Sequence, residues 1–193
     1  MSATSTPVAV ARPAAPRRLR VAGFWRRTAA ALIDLAVVLP ALFLVRLILQ
    51  ALAPADIPPL SDPGITIAIE RYLEGSPAFI AWVLLSAGIA LLYHTLFWGL
   101  NGRTLGLRAM GARVVDVYGD TPSLARAALR SFGFVLGALV LVWAVVRVMS
   151  PEHTMVAPFA ATVLALLGWL WAGIDRDKRG LHDWLAGTYV VRT

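Results

Sequence analysis

The chain has 193 residues, a net charge of +7 and a hydrophobic content of 59%. This apolar content and a mean hydropathy of +0.71 exclude an ordinary soluble domain and indicate an integral membrane protein. Because the chain contains no cysteine, disulfides and thiolate metal sites are excluded as well.

Four apolar stretches have the length of membrane-spanning helices, which need about 20 residues to cross about 30 Å of hydrocarbon. The predicted spans are 28–52, 78–100, 131–149 and 155–174. The predicted fold class is therefore an all-α integral membrane protein with four transmembrane helices. The segment before them, 1–20, is rich in Ala, Pro and Arg and is predicted to be a disordered basic tail.

The arginine pair before the first apolar run is compatible with a twin-arginine signal sequence. The apolar region of a signal sequence is about 7 to 15 residues long. The run from Thr28 to Leu52 is longer and is interrupted by Asp34. These features favour a retained first helix over a cleaved signal.

The positive charges are distributed unevenly between the two sides of the predicted helices. Fifteen of the 18 Lys and Arg residues lie before the first helix, between the second and third, or after the fourth. By the positive-inside rule, both termini are cytoplasmic and the chain is a multi-pass protein of the cell (inner) membrane. We therefore expect the basic residues to contact the lipid bilayer and its anionic headgroups, and we expect no nucleic-acid partner.

The loop after the second helix is predicted to contain short ordered elements. Its glycines, Gly102, Gly106 and Gly111, permit close backbone approach, and 112–117 resembles a short strand. A second strand-like piece, 188–192, is predicted to pair with it in a small β-sheet on the cytoplasmic side.

The start of the third helix is predicted from capping residues. Thr121 is a candidate cap with Pro122 in the first turn, and the helix is expected to continue through Arg126 and Arg130 into the third span.

Three segments, in this order along the chain, resemble the RDD family of membrane proteins, which is named for one arginine and two aspartates. They are GFWRRTAAALID (23–34), GRTLGLRAMGARVVDVYGD (102–120) and RGLHDWLAGTYVV (179–191). The resemblance implies a membrane domain over 21–193 in which Arg27, Asp34 and Asp183 are the family's polar residues. It also implies a cytoplasmic loop in which the candidate site residues are Gly102, Thr104, Gly106 and Arg108.

One position departs from the family pattern. Leu107 stands where the family often has a lysine, and Arg108 follows it. A role that requires this lysine is therefore either absent from the chain or carried by Arg108.

The resemblance implies a small transporter, since cation/proton antiport has been attributed to some members, with exchange of a monovalent cation for protons as a candidate activity. The alternative is a non-transporting membrane scaffold or assembly factor. Four helices leave little room for a pathway, so a homodimer is a candidate, with the GxxxG pattern of Gly133 and Gly137 allowing close packing within or between protomers.

The sequence contains no P-loop, dinucleotide fingerprint, HExxH or GxSxG motif. No nucleophile and base occur together at a recognisable spacing. We therefore expect no enzymatic activity, no cofactor and no metal site.

Asp34 needs a partner because a charged residue at the centre of a membrane helix costs roughly 2.5 to 3.5 kcal/mol. Arg27 shares its helix face but lies about 10.5 Å away along the axis, so a direct bridge is not expected. His94 in the second helix lies at the same depth, about 9 Å from the cytoplasmic end. The sequence thus predicts an Asp34–His94 titratable pair; the alternatives are a static pair, or a His94 bonded to the Tyr93 hydroxyl or to a backbone carbonyl.

Asp183 lies in the C-terminal segment, shortly after the fourth predicted helix. We expect it to hold this segment against the helices by pairing with Arg27, Arg103 or Arg108. This interpretation gives Asp183 a structural role.

Overall fold

The computed structural model describes residues 20–57, 75–148, 163, 168 and 170–193. Apart from Arg20, the predicted tail 1–20 lies outside the described residues. So does most of the predicted fourth span, of which 163, 168 and 170–174 are described and helical.

The described elements are three long helices, two short helices and two strands. In chain order they are α1 (Phe24–Leu52), α2 (Pro77–Asn101), α3 (Leu105–Ala109), β1 (Ala112–Asp116), α4 (Leu124–Val148), α5 (Leu181–Ala186) and β2 (Thr188–Arg192). By length and composition, α1, α2 and the part of α4 from Leu124 to Leu141 can each cross a membrane. The described residues therefore contain three candidate spans, and the chain is mostly helical.

The ends of α2 follow from local sequence. Ser76 accepts a hydrogen bond from the backbone N–H of Phe79 at 3.4 Å, and Pro77 occupies the first turn. The helix ends at Gly102, whose φ of 63° is left-handed and is readily adopted by glycine. The chain then turns directly into α3, which keeps the loop next to the bundle.

The helix that contains the third span begins several residues before the apolar stretch, as predicted. α4 begins at Leu124 and includes Arg126 and Arg130. The cap differs from the prediction: Ser123, not Thr121, accepts the N–H of Arg126, at 3.4 Å.

The predicted β pairing is confirmed. β1 and β2 are antiparallel, with Ala112 opposite Arg192 and Asp116 opposite Thr188. β1 ends one residue earlier than predicted because the side chain of Asp116 accepts the N–H groups of Tyr118 (2.9 Å) and Asp120 (3.1 Å), which closes a turn.

The segment before α1 joins the other edge of β2. Ala22 donates its N–H to the carbonyl of Val190 at 2.8 Å, and Val21 forms a bridge with Val191. This contact ties the start of α1 to the C-terminal segment. It thereby brings Arg27 close to α5.

A small hydrophobic core lies where the sheet meets the helix ends. Its buried members belong to the segment before α1, to the helices α1 to α4 and to both strands. They are Ala22, Ala30, Trp98, Leu107, Ala112, Val114, Ala127 and Val190. Along the spans, by contrast, large apolar side chains such as Leu84 (64% accessible) face outward. An outward apolar surface is what lipid contact requires of a spanning helix.

Candidate functional site

Asp34 is buried in α1 and accepts three hydrogen bonds. Its Oδ1 accepts the Tyr93 hydroxyl at 2.8 Å and the backbone N–H of Gly106 at 2.7 Å, and its Oδ2 accepts the Thr104 hydroxyl at 2.6 Å. Only 4% of the residue is accessible. The carboxylate is therefore the point at which α1, α2 and the start of α3 meet.

The loop sequence GRTLG explains why α3 can reach Asp34. The Thr104 hydroxyl accepts the N–H of Leu107 at 3.3 Å, which caps α3, while it donates its own proton to Asp34. A Cβ at Gly106 would overlap the carbonyl oxygen of Ala30 and lie 2.9 Å from the Asp34 Cγ. Only glycine permits this approach, so Gly106 positions the N–H that Asp34 accepts.

The predicted Asp34–His94 pair is wrong. The Nδ1 of His94 lies 2.8 Å from the Ala90 carbonyl, so the ring donates to its own helix, which was one of the alternatives. Its ring packs against those of Trp98 and Phe134, with centroids 4.8 and 5.0 Å away. Successive residues of a helix point about 100° apart, and it is Tyr93 that faces Asp34. The sequence showed that Asp34 and His94 lie at the same depth, but it did not show which face of α2 is turned toward Asp34.

Asp183 is completely buried in the first turn of α5. Its Oδ2 pairs with Nη1 of Arg27 and accepts the N–H of Gly180, the latter at 2.9 Å. The predicted Arg27–Asp183 contact is confirmed. The other two predicted partners are not used: among the described residues, neither Arg103 nor Arg108 pairs with Asp183.

Arg130 is the residue that the sequence reasoning missed at this site. Its Nη1 pairs with Oδ1 of Asp183 and donates to the Thr188 hydroxyl at 2.9 Å. Its guanidinium carbon lies 4.4 Å from the centre of the Trp98 ring, a cation–π contact. The sequence signal was its place inside a helix that continues into a span, where an arginine requires a partner.

The remaining predicted loop residues fall into two groups. Gly102 and Leu107 are buried. Leu107, at the sequence position where the family often has a lysine, packs in the hydrophobic core. Arg108 is exposed at the end of α3. The charge of Arg108 therefore lies at the surface and does not occupy the buried position of Leu107.

Gly133, the first glycine of the GxxxG pattern, packs within the chain. A Cβ at this position would lie 3.2 Å from the Cβ of His182 in α5. At Gly137, such a Cβ would have no atom of the described residues within 4 Å. The close approach allowed by Gly133 thus serves the contact between α4 and α5.

A cavity of about 60 Å³ lies between the two aspartate sites. Its ionisable lining residues are Arg27, Asp34, His94, Arg130 and His182. Burial lowers the pKa of His182 well below its ordinary value of 6.5, and the charges of Arg130 and Arg27 lower it further, even though 19% of its side chain is accessible. His182 is therefore neutral at neutral pH, and the charges around the cavity are those of arginines and aspartates.

Within the described ranges, no three His, Asp or Glu side chains are grouped in a way that could hold a metal ion. The polar groups of the site instead form two ion-pair and hydrogen-bond clusters around the cavity. This arrangement can bind small polar species or transfer protons.

No curated protein and no solved structure is significantly similar to this chain. A family model, that of the RDD family, matches residues 21–187. The matched range contains the arginine and both aspartates that form the two clusters. The chain therefore belongs to the RDD family of membrane proteins.

Proposed function

We propose that the protein is a small transporter that exchanges an ion, with a monovalent cation as the candidate, for protons. The observation that supports this proposal is the cavity at the junction of the spanning helices and the small sheet. Ionisable side chains inside a membrane bundle are costly, and they commonly mark ion pathways or proton relays. Four of the five ionisable residues that line this cavity belong to the spanning helices, and the fifth, His182, belongs to α5.

In this proposal Asp34 carries the proton. The carboxylate accepts three hydrogen bonds, two of them from Thr104 and Gly106 at the start of α3. A protonated carboxyl group has no net charge and is a weaker acceptor than a carboxylate, and one of its oxygens becomes an O–H donor, so the charge-assisted hydrogen bonds to Asp34 would weaken. Protonation of Asp34 would thus weaken the docking of α3 and open the cavity from that end.

The pair of Arg27 and Asp183 would form the second gate, on the side of the C-terminal segment. We further propose that this end of the bundle faces the cytoplasm of a cell whose inner membrane contains the protein, next to anionic headgroups. A homodimer would supply the helices that one protomer lacks for a complete pathway.

A non-transporting scaffold is the second candidate, and one observation favours it. Both aspartates have three partners: Asp34 accepts three hydrogen bonds, and Asp183 pairs with two arginines and accepts a backbone N–H. Such multiple contacts are also what a static anchor would have. In this function the two clusters only hold helices and sheet in register.

Proton flux in proteoliposomes separates the two candidates. We expect a sodium or potassium gradient to drive proton movement with the wild-type protein, and Asp34→Asn to abolish it. Asp120→Asn changes an exposed aspartate and should leave flux unchanged. Full exchange in Asp34→Asn would contradict the role of Asp34. If no ion drives flux in the wild type and a partner protein co-purifies stoichiometrically, the scaffold is favoured.

A further inference from the structure

We propose that the cavity binds a small monovalent inorganic anion of the size of chloride, bromide or nitrate. The proposal concerns a resident ligand of the folded protein. It does not rest on the transport activity, and it assigns a ligand to donors that this activity leaves unused.

Three buried N–H donors, one from each described spanning helix, belong to residues that line the cavity and have no acceptor among the described residues. These donors are Nη2 of Arg27 in α1, Nε1 of Trp98 in α2 and Nε of Arg130 in α4. All three residues line the cavity. Leaving a buried donor unbonded costs about 1 to 3 kcal/mol, and more for a charged group. An acceptor in the cavity would satisfy all three donors.

The donors at the end of the cavity next to Asp183 favour an anion over a cation there. Arg27 and Arg130 share the carboxylate of Asp183, and the three side chains are 12%, 4% and 0% accessible. An anion at this end would accept from the guanidinium N–H groups that Asp183 leaves unbonded.

The carboxylate in the cavity lining, that of Asp34, already accepts hydrogen bonds on both of its oxygens. Oδ1 of Asp34 is bonded to Tyr93 and Gly106, and its Oδ2 is bonded to Thr104. His94 donates from Nδ1 to a backbone carbonyl, so its Nε2 is an acceptor that can bind a water next to the anion.

The cavity volume sets the size of the ligand. One water needs about 10 to 15 Å³ of such volume, so about 60 Å³ holds one halide ion with a few waters. A nucleotide or a lipid headgroup is too large. Water alone would also fit, and the experiment must therefore separate an anion from water.

The test compares bromide with gluconate on the purified full-length protein in detergent, at constant ionic strength. A ligand that binds only the folded state raises the melting temperature in a saturable way. We expect sodium bromide to do so, while gluconate, which is too large for the cavity, should not. Equal melting temperatures in the two salts would mean that water alone fills the cavity, and would overturn the proposal.

Trp98→Phe is the test variant, because it keeps an aromatic ring beneath Arg130 while it removes the N–H donor together with one ring of the indole. We expect the half-saturating bromide concentration to rise about 3- to 10-fold, the effect of one hydrogen bond. Trp184→Phe removes the same group from a residue that is 65% accessible and should bind bromide like the wild type. A bromide response that is identical in Trp98→Phe and the wild type would contradict the site.

If Trp98→Phe fails to fold, anomalous diffraction from wild-type crystals grown in sodium bromide decides the matter. A bromide peak between Arg27, Trp98 and Arg130 supports the proposal. The absence of a peak there contradicts it.

Discussion

Thr104 and Gly106 determine the environment of Asp34 as much as the aspartate itself does. Thr104 caps α3 and donates to Asp34 with a single hydroxyl, and Gly106 allows α3 to touch α1 at Ala30. These two residues donate hydrogen bonds to a carboxylate that lies within a membrane helix. A change at either position should therefore affect α3 and Asp34 together.

Gly106→Ala tests this contact. A methyl group at this position would overlap the Ala30 carbonyl, so α3 must move and the Gly106 N–H must leave Asp34. We expect the free energy of unfolding to fall by about 1 to 3 kcal/mol, the range for overpacking of a tight contact. Thermal unfolding in detergent measures it, and Gly88→Ala is the control, because its Cβ would meet no atom within 4 Å. Equal stability of the two variants would contradict the proposed contact.

His182 makes stability depend on pH. Burial and the charges of Arg130 and Arg27 lower its pKa in the folded state, whereas the unfolded chain keeps an ordinary value of about 6.5. Below pH about 6.5 the unfolded state therefore binds a proton that the folded state does not. The free energy of unfolding should fall as pH decreases through this window, by up to about 1.4 kcal/mol per pH unit.

Melting temperatures at pH 7.5 and 5.5 check this dependence. His182→Gln carries no titrating group and should lose less stability than the wild type over this interval. If both proteins lose the same amount, the neutral state of His182 does not contribute to the pH dependence.

At the scale of elements, the two aspartates join pieces that are distant in the chain. Asp34 joins α1 to α2 and α3, and Asp183 joins α5 to α1 and α4 through Arg27 and Arg130. Since β2 follows α5 directly and pairs with β1, the second cluster also fixes the sheet against the bundle. The C-terminal segment should therefore detach when this cluster is broken.

Asp183→Asn removes one charge from a buried cluster and leaves two arginines without their carboxylate. Breaking a buried ion pair from one side costs about 3 to 5 kcal/mol. We expect a large drop in melting temperature and faster tryptic cleavage after Arg179. Asp177→Asn is the control, because its carboxylate is 55% accessible and pairs only at the surface with Arg179. Unchanged stability together with lost flux would show that Asp183 serves activity and not structure.

Much of this arrangement could be predicted from the sequence, and the reasons for the rest are physical. Long apolar runs identify α1 and α2, and the 112–117 and 188–192 pairing follows from two short strand-like segments near the same membrane side. The contact between Arg27 and Asp183 was predictable because each charge needed a partner outside its own helix. The partner of Asp34 could not be predicted in the same way. The depth of a residue in the membrane follows from its position along the helix, whereas the face that α2 turns toward α1 depends on how the helices pack.

At the scale of the whole molecule, the described chain is a bundle of spanning helices with a small sheet at one end, and its polar residues are concentrated where the two meet. The cavity lies at this junction, between the cluster of Asp34 and that of Asp183. In the proposed mechanism a change of charge at Asp34 would alter the position of α3. Because α3 ends at Ala109 and β1 begins at Ala112, and because Leu107 packs in the same core as Val114, this movement would reach the sheet as well.

In the proposed mechanism, protonation of Asp34 loosens α3 from α1, and the distance between these two helices tests this proposal. The chain contains no cysteine, so spin labels can be placed at Ala109→Cys on α3 and Leu32→Cys on α1, both exposed positions. In proteoliposomes we expect a short label-to-label distance at high pH and a longer, broader distribution at low pH. With Asp34→Asn, whose amide resembles the protonated carboxyl, the long distribution should persist at every pH. One unchanging short distance in both proteins would contradict the account.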